Sequence, residues 1–335
     1  MIKGMDELLA GLRGIAETTR LRIVFVLSHG EFNVSELTQI LGQSQPRISR
    51  HLKLMTESGL LSRHKEGSWV LFRLRDEGAG GALARTIAEL LPAVDSTLSA
   101  DAARLEEVRQ ARGERATAFF RANAANWETL RSLHIREEEV ETTIQRLVGK
   151  GPLGIHLDLG TGTGRILRLF APQTAQGVGV DSSREMLAIA RASIEDARLR
   201  HLQMRHGDIF ALPFPNDYAD FVTIHQVLHY LDEPARALAE AARVLKPGGR
   251  LLIVDFAPHE LEQLREEQAH RRLGIAGEQM IGWLRRAGLD LVSQEVLPPP
   301  WRDGEEGLTV SIWLARAPGN AIAQTAMRVS ERSEG

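Results

Sequence analysis

Residues 155–165 read Ile155-His-Leu-Asp158-Leu-Gly160-Thr-Gly162-Thr-Gly164-Arg165. An apolar alternation that runs straight into three glycines is a buried strand meeting a tight strand-to-helix turn, where glycine lets the backbone approach a ligand closely. The spacing is G-x-G-x-G. Arg165 stands where the dinucleotide fingerprint needs its last glycine, and no Lys-Ser/Thr pair follows to make a Walker-type phosphate loop. Twenty-three positions after Asp158, the run Val178-Gly-Val ends in Asp181, a strand-end carboxylate placed to accept from both hydroxyls of a ribose. A glycine turn alone fits any structural loop, and a lone strand-end Asp often only caps a helix. Held in register within one βαβ unit, the two predict a nucleoside-binding crevice.

Further along, the runs Gly177-Val-Gly-Val, Phe221-Val-Thr-Ile and Leu251-Leu-Ile-Val alternate with amphipathic helical stretches. This predicts an α/β domain over residues 151–317, a parallel sheet covered by helices. Leu157-Asp-Leu-Gly-Thr-Gly-Thr-Gly, Val180-Asp-Ser-Ser, His206-Gly-Asp-Ile, His225-Gln-Val-Leu-His-Tyr-Leu and Ala241-Ala-Arg-Val-Leu-Lys-Pro-Gly-Gly-Arg-Leu follow one another in that order. Through these motifs residues 150–316 resemble the class I S-adenosylmethionine-dependent methyltransferases, with a general likeness to the quinone-biosynthesis type. The resemblance implies a Rossmann-like seven-stranded sheet, closed by Leu289-Asp-Leu-Val-Ser and Leu308-Thr-Val-Ser-Ile-Trp-Leu with one antiparallel edge. It also implies a site for S-adenosylmethionine or S-adenosylhomocysteine. There Asp158 and Gly160 sit by the methionine moiety, Asp181 on the ribose, Asp208 on the adenine amino group, Ile209 against the ring, and His225 and Gln226 beside the cofactor. Gly162, Gly164 and Ser182 complete the set.

Methyl transfer asks mainly for in-line alignment, and a base helps only where the acceptor carries a proton on its attacking atom. The catalytic residue is left open among His225, His229 and Tyr230, with Asp255 and His259 also near strand ends. His225 and His229 have the i, i+4 spacing of a metal pair but lack the glutamate of H-E-x-x-H, so no metal is expected. His270-Arg-Arg reads as a solvated helix face rather than an anion clamp, though its place before the last helix could border an acceptor pocket, and Trp127 reads as core packing or part of a lid. An acceptor that is a base in DNA is disfavoured, because His225-Gln-Val-Leu stands where an Asn/Asp-Pro-Pro-aromatic clamp would hold it. A small-molecule methyl acceptor is the expectation.

Toward the N-terminus a different unit is written. Ser35–Leu41 predicts a short helix, Gly42 a turn, and Ser44 with Pro46 the start of a second helix. Ile48, Leu52 and Met55 recur at i, i+4, i+7 and should face inward, leaving Gln45, Arg47, Ser49, Arg50 and Lys53 to reach base edges or phosphates. The alternating stretch from Leu61 to Leu74 predicts a hairpin turning at Glu66-Gly67, with Arg63, Lys65 and Arg73 as a basic wing. Glu17-Thr-Thr-Arg-Leu-Arg-Ile, Ser49-Arg-His-Leu-Lys and Ser58-Gly-Leu-Leu make residues 6–75 resemble the ArsR type of winged-helix repressor. That resemblance implies a homodimer on double-stranded, pseudo-palindromic operator DNA. Metal-sensing members carry a cysteine pair where this chain has Asn33 and Ser35, so no metal effector is expected.

The four expected segments are thus a winged helix-turn-helix at 1–78, a helical linker, dimerisation and lid segment at 79–150 broken at Pro92 and near Gly113, the α/β domain at 151–317, and a disordered tail at 318–335. The chain has 335 residues, 43% of them hydrophobic, a size that suits more than one core. It contains no cysteine, which excludes disulfides, thiolate metal sites and arsenite methylation through thiols. Residues 1–75 carry 11 Lys and Arg against 7 Asp and Glu within a chain of net charge −3, so the basic charge gathers at the end that would meet DNA. The opening Met1-Ile-Lys-Gly-Met-Asp-Glu suggests no export signal, and a cytoplasmic protein without membrane spans is expected. Two readings of function result: a DNA-binding regulator whose second domain serves the nucleotide as sensor, with or without catalysis, or an active small-molecule methyltransferase whose winged helix dimerises or autoregulates.

Overall fold

The computed structural model describes residues 5–66, 69–75, 78–123, 137–299 and 307–319, which leaves Trp127 and residues 320–335 of the expected tail outside the described part. The chain divides into two compact units, Met1–Arg115 and Ala116–Gly335.

In the first unit, α1 (Met5–Ile15) and α2 (Thr18–Ser28) precede a two-residue strand β1 (Phe32–Asn33) and α3 (Val34–Leu41). Asn33 and Glu36 form a reciprocal capping box at the start of α3, a device that contributes about 1 kcal/mol. Gly42 ends α3 in the left-handed conformation at φ 63°. The second helix of the motif, α4 (Gln45–Glu57), begins at Ser44, whose side chain makes no capping bond. Pro46 supplies the start instead, because its missing N–H falls where a helix has no partner for one. Ile48, Leu52 and Met55 are buried against Ile23, Leu37 and Ile40, as their spacing predicts.

The wing is β2 (Leu61–Glu66) and β3 (Trp69–Leu74), paired antiparallel from Leu61 with Leu74 to Glu66 with Trp69. In that register Glu66 is still a paired residue of β2, and Gly67 of the expected turn lies outside the described residues. The sheet also has three strands rather than two, since Phe32 and Asn33 pair with Phe72 and Leu71. A two-residue strand carries too little periodicity to be read from sequence.

Two further helices follow, α5 (Gly78–Leu90) and α6 (Ser96–Asn123). Helix α6 passes Gly113 unbroken; one helical glycine costs only about 1 kcal/mol, which a helix of 28 residues absorbs. Ala84 of α5 and Leu105 and Val108 of α6 enter the core of the first unit. Fully buried Asp101 of α6 accepts from Arg22 Nε at 2.6 Å and Nη2 at 2.7 Å, and from Arg104 Nη2 at 2.5 Å. Both guanidiniums also cap α3, Arg22 donating to Leu41 O at 2.7 Å and Arg104 to Ile40 O at 2.5 Å. One buried carboxylate thus orients two cations onto the electronegative end of the helix that leads into the turn.

In the second unit, α7 (Glu137–Val148) precedes β4 (Gly154–Leu159), α8 (Arg165–Leu169), β5 (Thr174–Asp181), α9 (Arg184–Asp196) and β6 (Leu202–His206). Then come β7 (Ala219–His225), α10 (Pro234–Val244), β8 (Leu245–Phe256), α11 (Gln263–Glu267), α12 (Gly277–Arg286), β9 (Asp290–Leu297) and β10 (Val310–Arg316). The seven strands lie in the order β6-β5-β4-β7-β8-β10-β9. Strand β10 is antiparallel to both β8 and β9, so the reversed strand sits inside the sheet and β9 forms the edge, not the antiparallel edge the sequence suggested. Alternate residues cover opposite faces: Leu251 and Ile253 of β8 pack with α10 and α12, Leu252 and Val254 with α7. From β4 the chain winds outward through β5 and β6, then returns to place β7 on the other side of β4. Such a switch opens a crevice at the carboxyl ends of the strands.

Candidate functional site

A cavity of about 200 Å³ opens at that switch point. Asp158, Gly160, Gly162, Asp181, Ser182, Asp208, Ile209, His225 and Gln226 all line it, joined by Thr161, Phe210, Tyr230 and others. Of the predicted cofactor residues, Gly164 alone stands off the lining. At φ 80° a side chain there would be strained, and its Cβ would lie 2.9 Å from Met204 Cε, so Gly164 serves the packing of the turn. Gly160 serves the turn and the cavity together, at φ 70° with Val227 Cγ2 only 2.4 Å from where a Cβ would be.

The glycine turn organises a carboxylate rather than offering its own amides. Gly160 and Thr161 N–H donate to Val180 O at 2.8 and 3.0 Å, and Gly162 N–H donates to Asp181 Oδ2 at 2.8 Å. Ser183 N–H donates to Asp181 Oδ1 at 2.8 Å. Asp181 is therefore held at the end of β5 by backbone donors on both of its oxygens. Burial pushes its carboxyl above the ordinary value, against the opposing pull of the Ser183, Gly162 and Ser182 N–H groups and of His206. Asp158 is buried, accepting from Thr161 Oγ1 and from Thr223 Oγ1, both at 2.6 Å. Asp208 is exposed and accepts from Phe210 N–H at 2.9 Å, with Ile209 half-buried beside it.

Gln226 carries two signs of a functional position. Its φ is 56°, a left-handed conformation that costs a non-glycine residue free energy. Its side chain is 5% exposed, yet Nε2 has no hydrogen-bond partner. A strained residue with an orphaned amide on a cavity wall has a donor available for a polar ligand atom. The lining of the cavity, with acceptor carboxylates at Asp158, Asp181 and Asp208, an amide at Gln226 and apolar Ile209 and Phe210, suits a nucleoside bearing a cationic amino acid tail.

The candidate catalytic residues separate. His225 and Tyr230 line the cavity; His229 does not. His229 is buried with Nδ1 2.7 Å from Asp255 Oδ1, and its ring packs 4.4 Å from that of His270. His270-Arg-Arg is not the solvated helix face expected. It lies in the loop before α12, with His270 and Arg272 buried, Arg271 and Arg272 N–H both donating to His229 O, and Arg271 Nε 2.5 Å from Asp232 Oδ1. The stretch staples the loop after β7 in place. Its placement depends on contacts with His229 and Asp232 after β7 and with Phe256 of β8, so its own periodicity does not reveal it. Among the described residues no group of three His, Asp or Glu side chains is placed to hold a metal.

In the first unit Gln45, Arg47, Ser49, Arg50 and Lys53 are exposed along one side of α4. Arg63 and Lys65 are exposed on β2, whereas Arg73 is half-buried, its Nη1 3.6 Å from Glu31 and its Nε donating to Ser62 at 3.1 Å. Arg47 approaches Glu17 at 3.9 Å but stays largely exposed. No helix among the described residues is long and apolar enough to cross a membrane.

Comparison with known proteins follows the same division. Residues 17–63 match the family model of the bacterial regulatory protein, arsR family, and residues 157–253 match that of a methyltransferase domain. An uncharacterized methyltransferase of Bacillus subtilis, YcgJ, is 34% identical over 105 residues, 31% of this chain and 42% of its own length. A demethylmenaquinone methyltransferase of Thermus thermophilus is 41% identical over 104 residues, 30% of this chain and 47% of its own. The chain thus spans about half the length of these curated relatives. A chain of the solved complex between the Haloferax volcanii Trm112 methyltransferase activator and a methyltransferase has the same fold, with a TM-score of 0.50 and 24% identity, covering 61% of this chain and 98% of that one. The protein therefore joins a helix-turn-helix domain of the bacterial arsR regulatory family to a methyltransferase domain built on a seven-stranded Rossmann-like sheet.

Proposed function

We propose that the protein is a transcriptional regulator of ArsR type that reads double-stranded operator DNA as a homodimer, and that its methyltransferase domain binds S-adenosylmethionine or S-adenosylhomocysteine as the controlling ligand. The observation that carries the ligand reading is Asp181, a carboxylate at the cavity with each oxygen oriented by a backbone N–H. A ribose diol can donate to both oxygens of such a group. Gln226 Nε2, buried and without a partner, supplies a donor for the same ligand. The DNA reading rests on the exposed Gln45, Arg47, Ser49, Arg50 and Lys53 of α4 and on Arg63 and Lys65 of the wing. A reader of bacterial operators works in the cytoplasm.

Control requires the nucleotide to bind the DNA-competent and DNA-incompetent forms with different affinity. The test is titration of the full chain into a duplex selected from a random library, with and without saturating amounts of each nucleotide. A changed affinity with at least one nucleotide is expected; the same affinity in all three conditions overturns the regulatory reading. A second reading, transfer of the methyl group to a small molecule, is favoured by His225 and Tyr230 on the cavity wall, where one of them would meet an acceptor. Formation of S-adenosylhomocysteine in the presence of small-molecule extracts tests it.

A further inference from the structure

We propose that Thr223 and His156 are the selectivity device of the cavity: a buried relay that fixes the Asp158 carboxylate as an acceptor, so that the site prefers a nucleoside with an α-amino group over one that ends at the thioether. The inference rests on the nucleotide reading of this cavity and adds residues that neither line it nor belong to its glycine turn.

The relay is written in the register of the sheet. Asp158 and Thr223 lie directly opposite one another in the β4–β7 ladder, so their side chains leave the same face. His156 is two residues before Asp158 on β4 and shares that face. Thr223 Oγ1 is 2.6 Å from Asp158 Oδ1 and 2.9 Å from His156 Nε2. Both Thr223 and His156 are fully buried, and the imidazole packs between Phe221 at 4.9 Å and Phe170 at 6.0 Å.

The direction of the hydrogen bonds follows from what else the imidazole touches. Burial holds His156 neutral, with a pKa of about 3, so its ring carries one proton. Nδ1 has no hydrogen-bond partner. A proton there would leave a buried N–H donor unsatisfied and would oblige Thr223 to donate to His156. A proton on Nε2 instead lets His156 donate to Thr223 and frees the single hydroxyl proton of Thr223 for Asp158. With Thr161 donating to Oδ2, both oxygens of Asp158 are fixed as acceptors. Such a carboxylate on a cavity wall is matched by an ammonium group, and a thioether without one gives it nothing.

The experiment is calorimetric titration of the full chain with S-adenosylhomocysteine and with 5′-methylthioadenosine, which shares the nucleoside but lacks the amino acid. Wild type should bind the former more tightly. Thr223→Val keeps the shape and removes the donor to a charged group, so affinity for S-adenosylhomocysteine should fall about tenfold or more. Affinity for 5′-methylthioadenosine should stay within about twofold, and Thr223→Ser should restore the difference. A packing role alone would move both ligands together. Equal loss of both, or loss of neither, overturns the relay, as does a wild type that binds the two equally while the nucleotide reading stands. A wild type that binds neither overturns the nucleotide reading itself. Should Thr223→Val not fold, His156→Phe is read by the same ratio, which must drop toward unity.

Discussion

Removal of the Asp181 carboxylate tests the nucleotide reading at its centre. In Asp181→Ala the two oxygens that accept from Gly162 and Ser183 N–H disappear, and with them the acceptors for a ribose diol. Two hydrogen bonds to a charged group are worth about 1.5–3 kcal/mol each, offset in part by relief of the cost of burying the charge. A net loss of about 3 kcal/mol, or roughly 150-fold in Kd, is expected. The wild type makes a companion prediction about pH. Burial raises the Asp181 pKa, and the ligand binds the ionised form, so affinity is full above the raised pKa. It declines as pH falls through that value, earlier than an ordinary carboxylate would allow. The stability of the free protein moves oppositely. The folded state holds this proton more tightly than the unfolded chain, so Asp181 costs stability as pH rises from its unfolded to its folded pKa. Calorimetry with S-adenosylhomocysteine across a pH series, on wild type and Asp181→Ala, checks both. An Asp181→Ala affinity within twofold of wild type, or a variant that keeps the wild-type pH profile, would refute the assignment.

Other expected outcomes concern both units. Asp101→Ala leaves the Arg22 guanidinium without its buried partner and should lower stability by about 3 kcal/mol in chemical denaturation; a shift below about 1 kcal/mol would show that the two arginines are held by the α3 carbonyls alone. Arg50→Ala should weaken duplex binding and reduce its salt slope by about 1 if Arg50 meets a phosphate, leaving nucleotide affinity unchanged. Gly160→Ala places a Cβ 2.4 Å from Val227 Cγ2 at a φ of 70°, and should lower both the melting temperature and nucleotide affinity. Unaltered affinity there would separate the turn from the ligand.

What could be read early and what could not divides by the range of the interactions involved. The glycine turn, the strand end at Asp181, and the buried stripe Ile48, Leu52, Met55 are local patterns, spaced by the geometry of a strand or a helix, and all stand where that geometry puts them. Local pattern also suffices for the parallel sheet, since only crossover helices can cover both of its faces. The place of β10 between β8 and β9 is another matter, because strand neighbours are chosen by pairing across the whole sheet. So is the burial of His270-Arg-Arg under His229, and the parting of His229 from His225 and Tyr230 at the cavity. The relay from His156 through Thr223 to Asp158 joins residues 67 apart in the chain, and only the register of two paired strands makes them neighbours. Short-range order was therefore present in the amino acids as written, while the company each side chain keeps waited on tertiary packing, since burial and hydrogen-bond partners are properties of the folded whole.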